Sequence, residues 1–180
     1  MFQKMNTKFI LFFFCLSSFS WALPQDPGQL TKKEQKFAYS VFEGEPEAEL
    51  LIFSDRDRAG EIFFMEGDRV YQLSRHDLVM GYLLSTRARG RYDYFDYIIA
   101  YDPDLSVIKL SILVYRSDHG AAICQKKWLG QFEAYSGEDL SLGKDIDAIA
   151  GATISATSIV SDMKRSHQLM VSLKEEGIIQ

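Results

Sequence analysis

Cysteine, histidine and asparagine are scarce in this sequence, and each shortage removes a class of chemistry. Only two cysteines occur in 180 residues, Cys15 and Cys124. Cys15 falls in an apolar N-terminal segment expected to be removed, which leaves Cys124 alone. A lone cysteine excludes an intramolecular disulfide, a CxxCH haem attachment and a cysteine zinc site. The three histidines, His76, His119 and His167, share no metal-ligand spacing and read as separate surface or core residues. Asn6 is the single asparagine and lies in the same N-terminal segment, so the rest of the chain offers no N-glycosylation acceptor. There is also no GxxxxGK phosphate loop, no HExxH and no recognisable context for a Ser–His–Asp triad, so nothing argues for a hydrolase.

Positive charge is in deficit as well. The formal net charge is −5, and the N-terminal segment holds two lysines and no acid. Without it the charge is two units more negative, about −7 on the same count. A domain this acidic gains nothing from nucleic-acid phosphates, so no nucleic-acid partner is expected.

What the N-terminus does hold is an export signature. Lys4 and Lys8 precede the apolar run Phe9 to Cys15, and small residues lead to Ser20-Trp21-Ala22. The run is shorter than the roughly 20 apolar residues a spanning helix needs. Residues 1–22 are therefore expected to be a cleaved signal peptide, cut after Ala22, with the mature protein periplasmic or otherwise extracytoplasmic. Phe13-Phe14 are bulky where a lipidation site needs small residues, so Cys15 is not expected to be lipidated. The 158 residues left suffice for one domain with a proper core.

The remainder divides into a helical lead-in, 23–45, and a domain, 46–180. Thr31, with Glu34 three residues on, predicts a capping box opening an amphipathic helix with Phe37, Tyr39, Val41 and Phe42 as its apolar residues. The acidic stretch EGEPEAE ends it. Strands are expected at Glu61 to Met65 and Arg69 to Ser74 about a Glu66-Gly67-Asp68 turn, then at Met80 to Arg87 and Tyr94 to Tyr101. Asp102-Pro103-Asp104 is a turn. After it Ile108, Leu110, Ile112 and Val114 alternate as the inward face of a half-buried strand. The short connections favour antiparallel pairing. Gln125 to Phe132 predicts a short helix with Trp128, Leu129 and Phe132 inward. Ile159, Val160, Met163, Met170 and Leu173 recur at helical spacing, with Lys174 near the end and Gly177 as the stop. The fold class expected is α+β, an antiparallel sheet with an N-terminal helix and C-terminal helices.

Chemistry concentrates in DIDAIAGATIS, Asp145 to Ser155, immediately before the terminal helix. A helix start offers amides without intrahelical partners and a partial positive charge, which suits an anionic phosphate even with no basic side chain nearby. Gly151 and Ala152 permit close backbone approach, Thr153 supplies a hydroxyl, and Ser155 is read as the helix cap. On these residues alone the signal is weak, since GAT before a helix is usually an ordinary turn with a Thr or Ser cap.

The pattern DxxxGATxS, formed by Asp147, Gly151, Ala152, Thr153 and Ser155, resembles the flavinylation motif of the FMN-binding domain family. That family includes the covalent-flavin subunits of sodium-pumping NADH:quinone reductase and of the Rnf complex. Val114 to Phe132, Gly137 to Ser155 and Ile98 to Tyr115 also resemble family segments, so the similarity spans roughly residues 80–165. Ala150 departs from the family's usual Ser or Thr, and Ser117 to Ala121 from its usual acid and Pro. The resemblance implies an FMN-binding-domain-like fold and an exported electron carrier with FMN attached covalently to Thr153 through a phosphodiester. It implies a flavin transferase that uses FAD as donor, and as partner a redox protein or membrane respiratory complex. Asp147, Gly151, Ala152 and Ser155 are expected around the cofactor, with His119 and Gly120 beside the ring. The alternatives are an exported domain binding flavin non-covalently or not at all, or a flavin reductase with a small substrate.

Several residues keep two readings. His119 suits a proton donor to reduced flavin or a plain polar turn residue. Cys124 suits a redox thiol or a small packed residue. Tyr92, Tyr94, Phe95 and Tyr97 suit ring stacking or core and cross-strand pairing. Arg87, Arg89 and Arg91 read as a solvated strand end or as a dock for an acidic partner.

Overall fold

The computed structural model describes residues 28–53 and 63–180. The expected signal peptide, its cleavage site and positions 61–62 lie outside the described residues. Helix α1 spans Lys32–Val41, and five strands follow: β1 (Glu47–Phe53), β2 (Arg69–Arg75), β3 (Leu78–Arg89), β4 (Tyr94–Tyr101) and β5 (Val107–Val114). A 3₁₀ turn (Ala121–Cys124), helix α2 (Lys126–Leu129), a second 3₁₀ turn (Gly130–Phe132) and helix α3 (Thr153–Glu175) complete the chain. The strands form a meander in the order β1-β2-β3-β4-β5, every pair antiparallel. The protein is α+β, as its sequence predicts.

Period-two alternation gives the sheet two apolar faces. Tyr71, Leu73, Leu83, Ile98 and Ala100 point to one face and bury Phe37, Ala38 and Phe42 of the α1 segment. Val70, Tyr82, Leu84, Tyr97, Ile99 and Tyr101 point to the other, where α2 and the inner side of α3 pack. Cover on both sides explains why β3 and β4 read as nearly continuous apolar runs.

Helix α1 opens on the capping box that Thr31 and Glu34 predict: Thr31 Oγ1 accepts from the Glu34 amide, and the Glu34 carboxylate accepts from the Thr31 amide. The fully buried Glu34 carboxylate also accepts from Arg69 and from Ser85 Oγ. One side chain thus caps the helix and ties it to β2 and β3. On the opposite face Arg165 of α3 donates to Asp68, Asp162 and Thr86. Asp162 also accepts from the buried Tyr97 hydroxyl. Burial lifts the Tyr97 hydroxyl well above its ordinary value, and the nearby Asp162 charge adds to the rise.

Three expectations need correction. The strand predicted to reach Met65 does not form at Phe63 to Met65, where the chain turns instead. There the Asp68 carboxylate accepts from the Met65 amide, and Phe63 has a positive φ. The strand that pairs with β2 is β1, which the sequence reading missed behind Pro46 and its flanking acids. In β5 the alternation breaks, because the register shifts between Ala100 and Tyr101. The extra residue, Ile108, is left exposed while Val107 and Leu110 face the core.

Among the described residues, no helix is long and apolar enough to cross a membrane.

Candidate functional site

Helix α3 begins abruptly at Thr153. Gly151 has φ of +77°, a left-handed conformation that favours glycine, and a side chain there would meet no atom within 4 Å. The Ala152 amide closes the turn by donating to the Ile149 carbonyl, and the Ala156 amide makes the first helical bond back to the Ala152 carbonyl. No side chain caps this end and the first turn carries no acid. The amides of Thr153, Ile154 and Ser155 therefore have no intrahelical acceptor and sit at the positive end of a 23-residue helix.

Ser155 does not cap the helix. A capping side chain must stand at the residue before the first turn, which is Ala152, whereas Ser155 is the third helical residue and accordingly faces inward. Its buried Oγ lies 2.9 Å from the Tyr115 hydroxyl, which donates to the His119 carbonyl oxygen at 2.8 Å. Gly120 packs against this pair with φ of +88°. A Cβ on it would lie 2.6 Å from Tyr115 Oη and 3.1 Å from Ser155 Oγ. A Cβ on Gly90 would come within 3.6 Å of the same Ser155 oxygen. Ser155 is thus the point where the helix start, the turn after β5 and the β3–β4 turn meet.

Around that point lies an open concavity of about 120 Å³, lined by Arg91, His119, Gly120 and the segment Gly151 to Ser155. Six of the seven residues singled out in the sequence share it: His119, Gly120, Gly151, Ala152, Thr153 and Ser155. Asp147 does not line it. Its main chain is fixed instead by α2 and the following 3₁₀ turn, with the amide donating to Gln131 Oε1 at 2.9 Å and the carbonyl accepting from Trp128 Nε1 at 2.7 Å. Its carboxylate faces solvent beside the loop. Thr153 is exposed at the mouth, and Thr157 is exposed one turn further along the helix.

A basic side chain, Arg91, also stands near the helix end. Of the three arginines read as a solvated strand end, it alone lines the concavity. Its guanidinium lies over the Tyr92 ring, 5.4 Å from the centroid, and Tyr92 meets the His119 ring edge-on at 5.6 Å. Arg89 lies over Tyr94 instead. The aromatic cluster divides: Phe95 and Tyr97 are core, while Tyr92 and Tyr94 are exposed. Cys124, expected to pack inside, is exposed at the end of its 3₁₀ turn. The other histidines stand elsewhere, His76 in the β2–β3 turn and His167 against Tyr135.

The donor set suits an anionic phosphate ester: unpaired amides, a guanidinium and a hydroxyl oxygen able to carry the ester bond. The size suits it as well. Sites that enclose a whole drug-sized ligand run to about 300–1,000 Å³, so this concavity matches a phosphate rather than a tricyclic ring. Tyr92 and Ile154 are exposed beside the concavity.

No protein-family model and no curated protein matches the chain. Among solved structures, the chain is similar to the crystal structure of Shewanella oneidensis NqrC at 12% identity and a TM-score of 0.49, covering 72% of this chain and 88% of that one.

Proposed function

We propose that this chain is an exported electron carrier that holds FMN covalently on Thr153. The observation that carries the reading is the placement of the GAT segment. Thr153 stands exposed as the first residue of an uncapped helix, beside a phosphate-sized concavity lined otherwise by small residues, Arg91, His119 and the rim residue Ile154. The resemblance of Asp147 to Ser155 to the flavinylation motif supplies the identity of the group.

Attachment needs a flavin transferase and FAD. The Thr153 hydroxyl oxygen forms a bond to the flavin-side phosphorus of FAD while the pyrophosphate P–O bond breaks. AMP leaves, and the hydroxyl proton passes to solvent or to the transferase. Thr153 then bears a phosphodiester with one negative charge, which the free amides of Thr153 to Ser155 are placed to face. Asp147, held outward on a braced loop, is accessible to the transferase as a recognition point. Tied FMN supplies both one- and two-electron transfer, and so links donors and acceptors of different stoichiometry. The chain's own work is to anchor the phosphate, present the ring edge and orient it through Tyr92, His119 and Ile154. Its partner is a redox protein or a membrane respiratory complex outside the cytoplasm.

The test is to produce the full chain with and without the transferase and read its intact mass and its visible absorbance after acid precipitation. An FMN-sized mass increment and a yellow precipitate are expected only with the transferase. Flavin that stays in the supernatant would make the binding non-covalent.

A further inference from the structure

We propose that Arg91 is the cationic ligand of the phosphodiester on Thr153, holding it as a bidentate ion pair from across the concavity. The inference rests on the reading of Thr153 as the attachment point and adds the group that neutralises the charge attachment creates. Arg91 comes from the β3–β4 turn, far from the helix in sequence, yet it is the one cationic side chain among the residues lining the concavity. Among the described residues no carboxylate pairs with it. Its nearest acidic neighbour in sequence, Asp93, is engaged locally, with Oδ1 accepting from the Tyr94 amide at 2.7 Å. Arg116 is paired with Asp96, and Arg89 is turned toward Tyr94. Among the described residues Arg91 is thus an exposed cation without a carboxylate partner, at a site where a fixed anion is to be formed.

Its neighbours belong to the same rim. The guanidinium rests on the Tyr92 ring, and that ring is braced edge-on by His119. The Arg91 side chain is exposed beside the concavity, and a guanidinium fork can give a phosphate two parallel hydrogen bonds. His119 acts here through Tyr92 as a positioning residue.

The experiment compares full-length wild type with Arg91→Gln, Arg91→Lys and the neighbouring control Arg89→Gln. Each is produced with and without the flavin transferase, and loading is scored by intact mass. Two readouts follow on each protein: the rise in Tm on loading and the ³¹P resonance of the diester. Wild type and Arg89→Gln are expected to show the same rise and the same resonance. Arg91→Gln loses roughly half of the rise or more, since charge-assisted hydrogen bonds are about twice as strong as neutral ones, and its ³¹P line moves. Arg91→Lys recovers part of the rise, because it keeps the charge without the fork. Unloaded Tm values equal to wild type separate this from a general loss of stability. A full rise and an unmoved ³¹P line in loaded Arg91→Gln would overturn the Arg91 assignment and leave Thr153 standing. An equal loss in Arg89→Gln would overturn it too, by reducing the effect to surface charge. Absence of any FMN adduct on wild type would remove the Thr153 reading itself, and Arg91's role with it.

Discussion

The two ends of what Arg165 and Thr153 do on one helix could hardly differ more. Around Arg165, α3 is locked to the sheet by polar and charged groups that are largely desolvated: Asp68 and Ser166 are fully buried, and Thr86 and the Asp162 side chain nearly so. Around Thr153 the same helix is open, uncapped and lined by small residues, with Ile154 half exposed. The first region fixes where the helix lies; the second uses that fixed position to present amides and a hydroxyl at a set place. The contrast says that stability and the site are carried by different turns of α3. Substitutions should therefore separate them.

Arg165→Met is the largest expected effect. It leaves the Asp68 carboxylate buried without its cation, a type of loss that costs about 3–5 kcal/mol. Burial already holds the Asp68 carboxyl above its usual range despite the field of Arg165. Chemical denaturation should show the loss, while the fraction of folded protein that takes up FMN stays at the wild-type level. Gly120→Ala breaks the separation on purpose. Its Cβ would intrude on both Tyr115 and Ser155 at a positive φ, so about 1–3 kcal/mol of stability and part of the flavin loading should be lost together.

A smaller effect is pH-dependent. Burial pulls the His167 imidazole below its ordinary 6.5, with Glu138 acting in the opposite direction. Between that lowered value and 6.5 the unfolded chain binds more protons than the folded one, so stability falls as pH falls. The contribution is complete above 6.5 and is lost as pH drops through the folded value. Denaturation midpoints of His167→Gln should show a flatter acid limb than wild type. Asp147→Ala is the smallest in stability, within about 0.5 kcal/mol for an exposed side chain. Intact mass should nevertheless show a lower flavinylated fraction if, as proposed, the transferase recognises this exposed carboxylate.

Features fixed by near neighbours were legible in the sequence. The Thr31–Glu34 box spans one helical turn, and β4 has the bounds its apolar run suggests. The inward residues of α2 and α3 follow from helical spacing alone. What failed depended on partners elsewhere in the chain. The β5 bulge at Ile108 is set by register against β4, and β1 is a short edge strand whose exposed glutamates hide its periodicity. Ser155 looked like a cap because hydroxyls near helix starts often are; its actual partner, Tyr115, is 40 residues away. Arg91 was visible only as part of a basic run. Nothing local singles it out, because the closeness of its neighbour Gly90 to Ser155 arises only in the folded chain.

The central claim is that the Thr153 hydroxyl carries the flavin, and a pair of substitutions tests it most directly. Thr153→Ser keeps the oxygen and Thr153→Ala removes it. Both change an exposed side chain that caps nothing, so each should stay within about 1 kcal/mol of wild type. Peptide mass mapping after co-production with the transferase should place an FMN phosphodiester on residue 153 in wild type and in Thr153→Ser, and find none in Thr153→Ala. An FMN-sized adduct retained by Thr153→Ala, on Thr157, Ser155 or any other residue, would contradict the account.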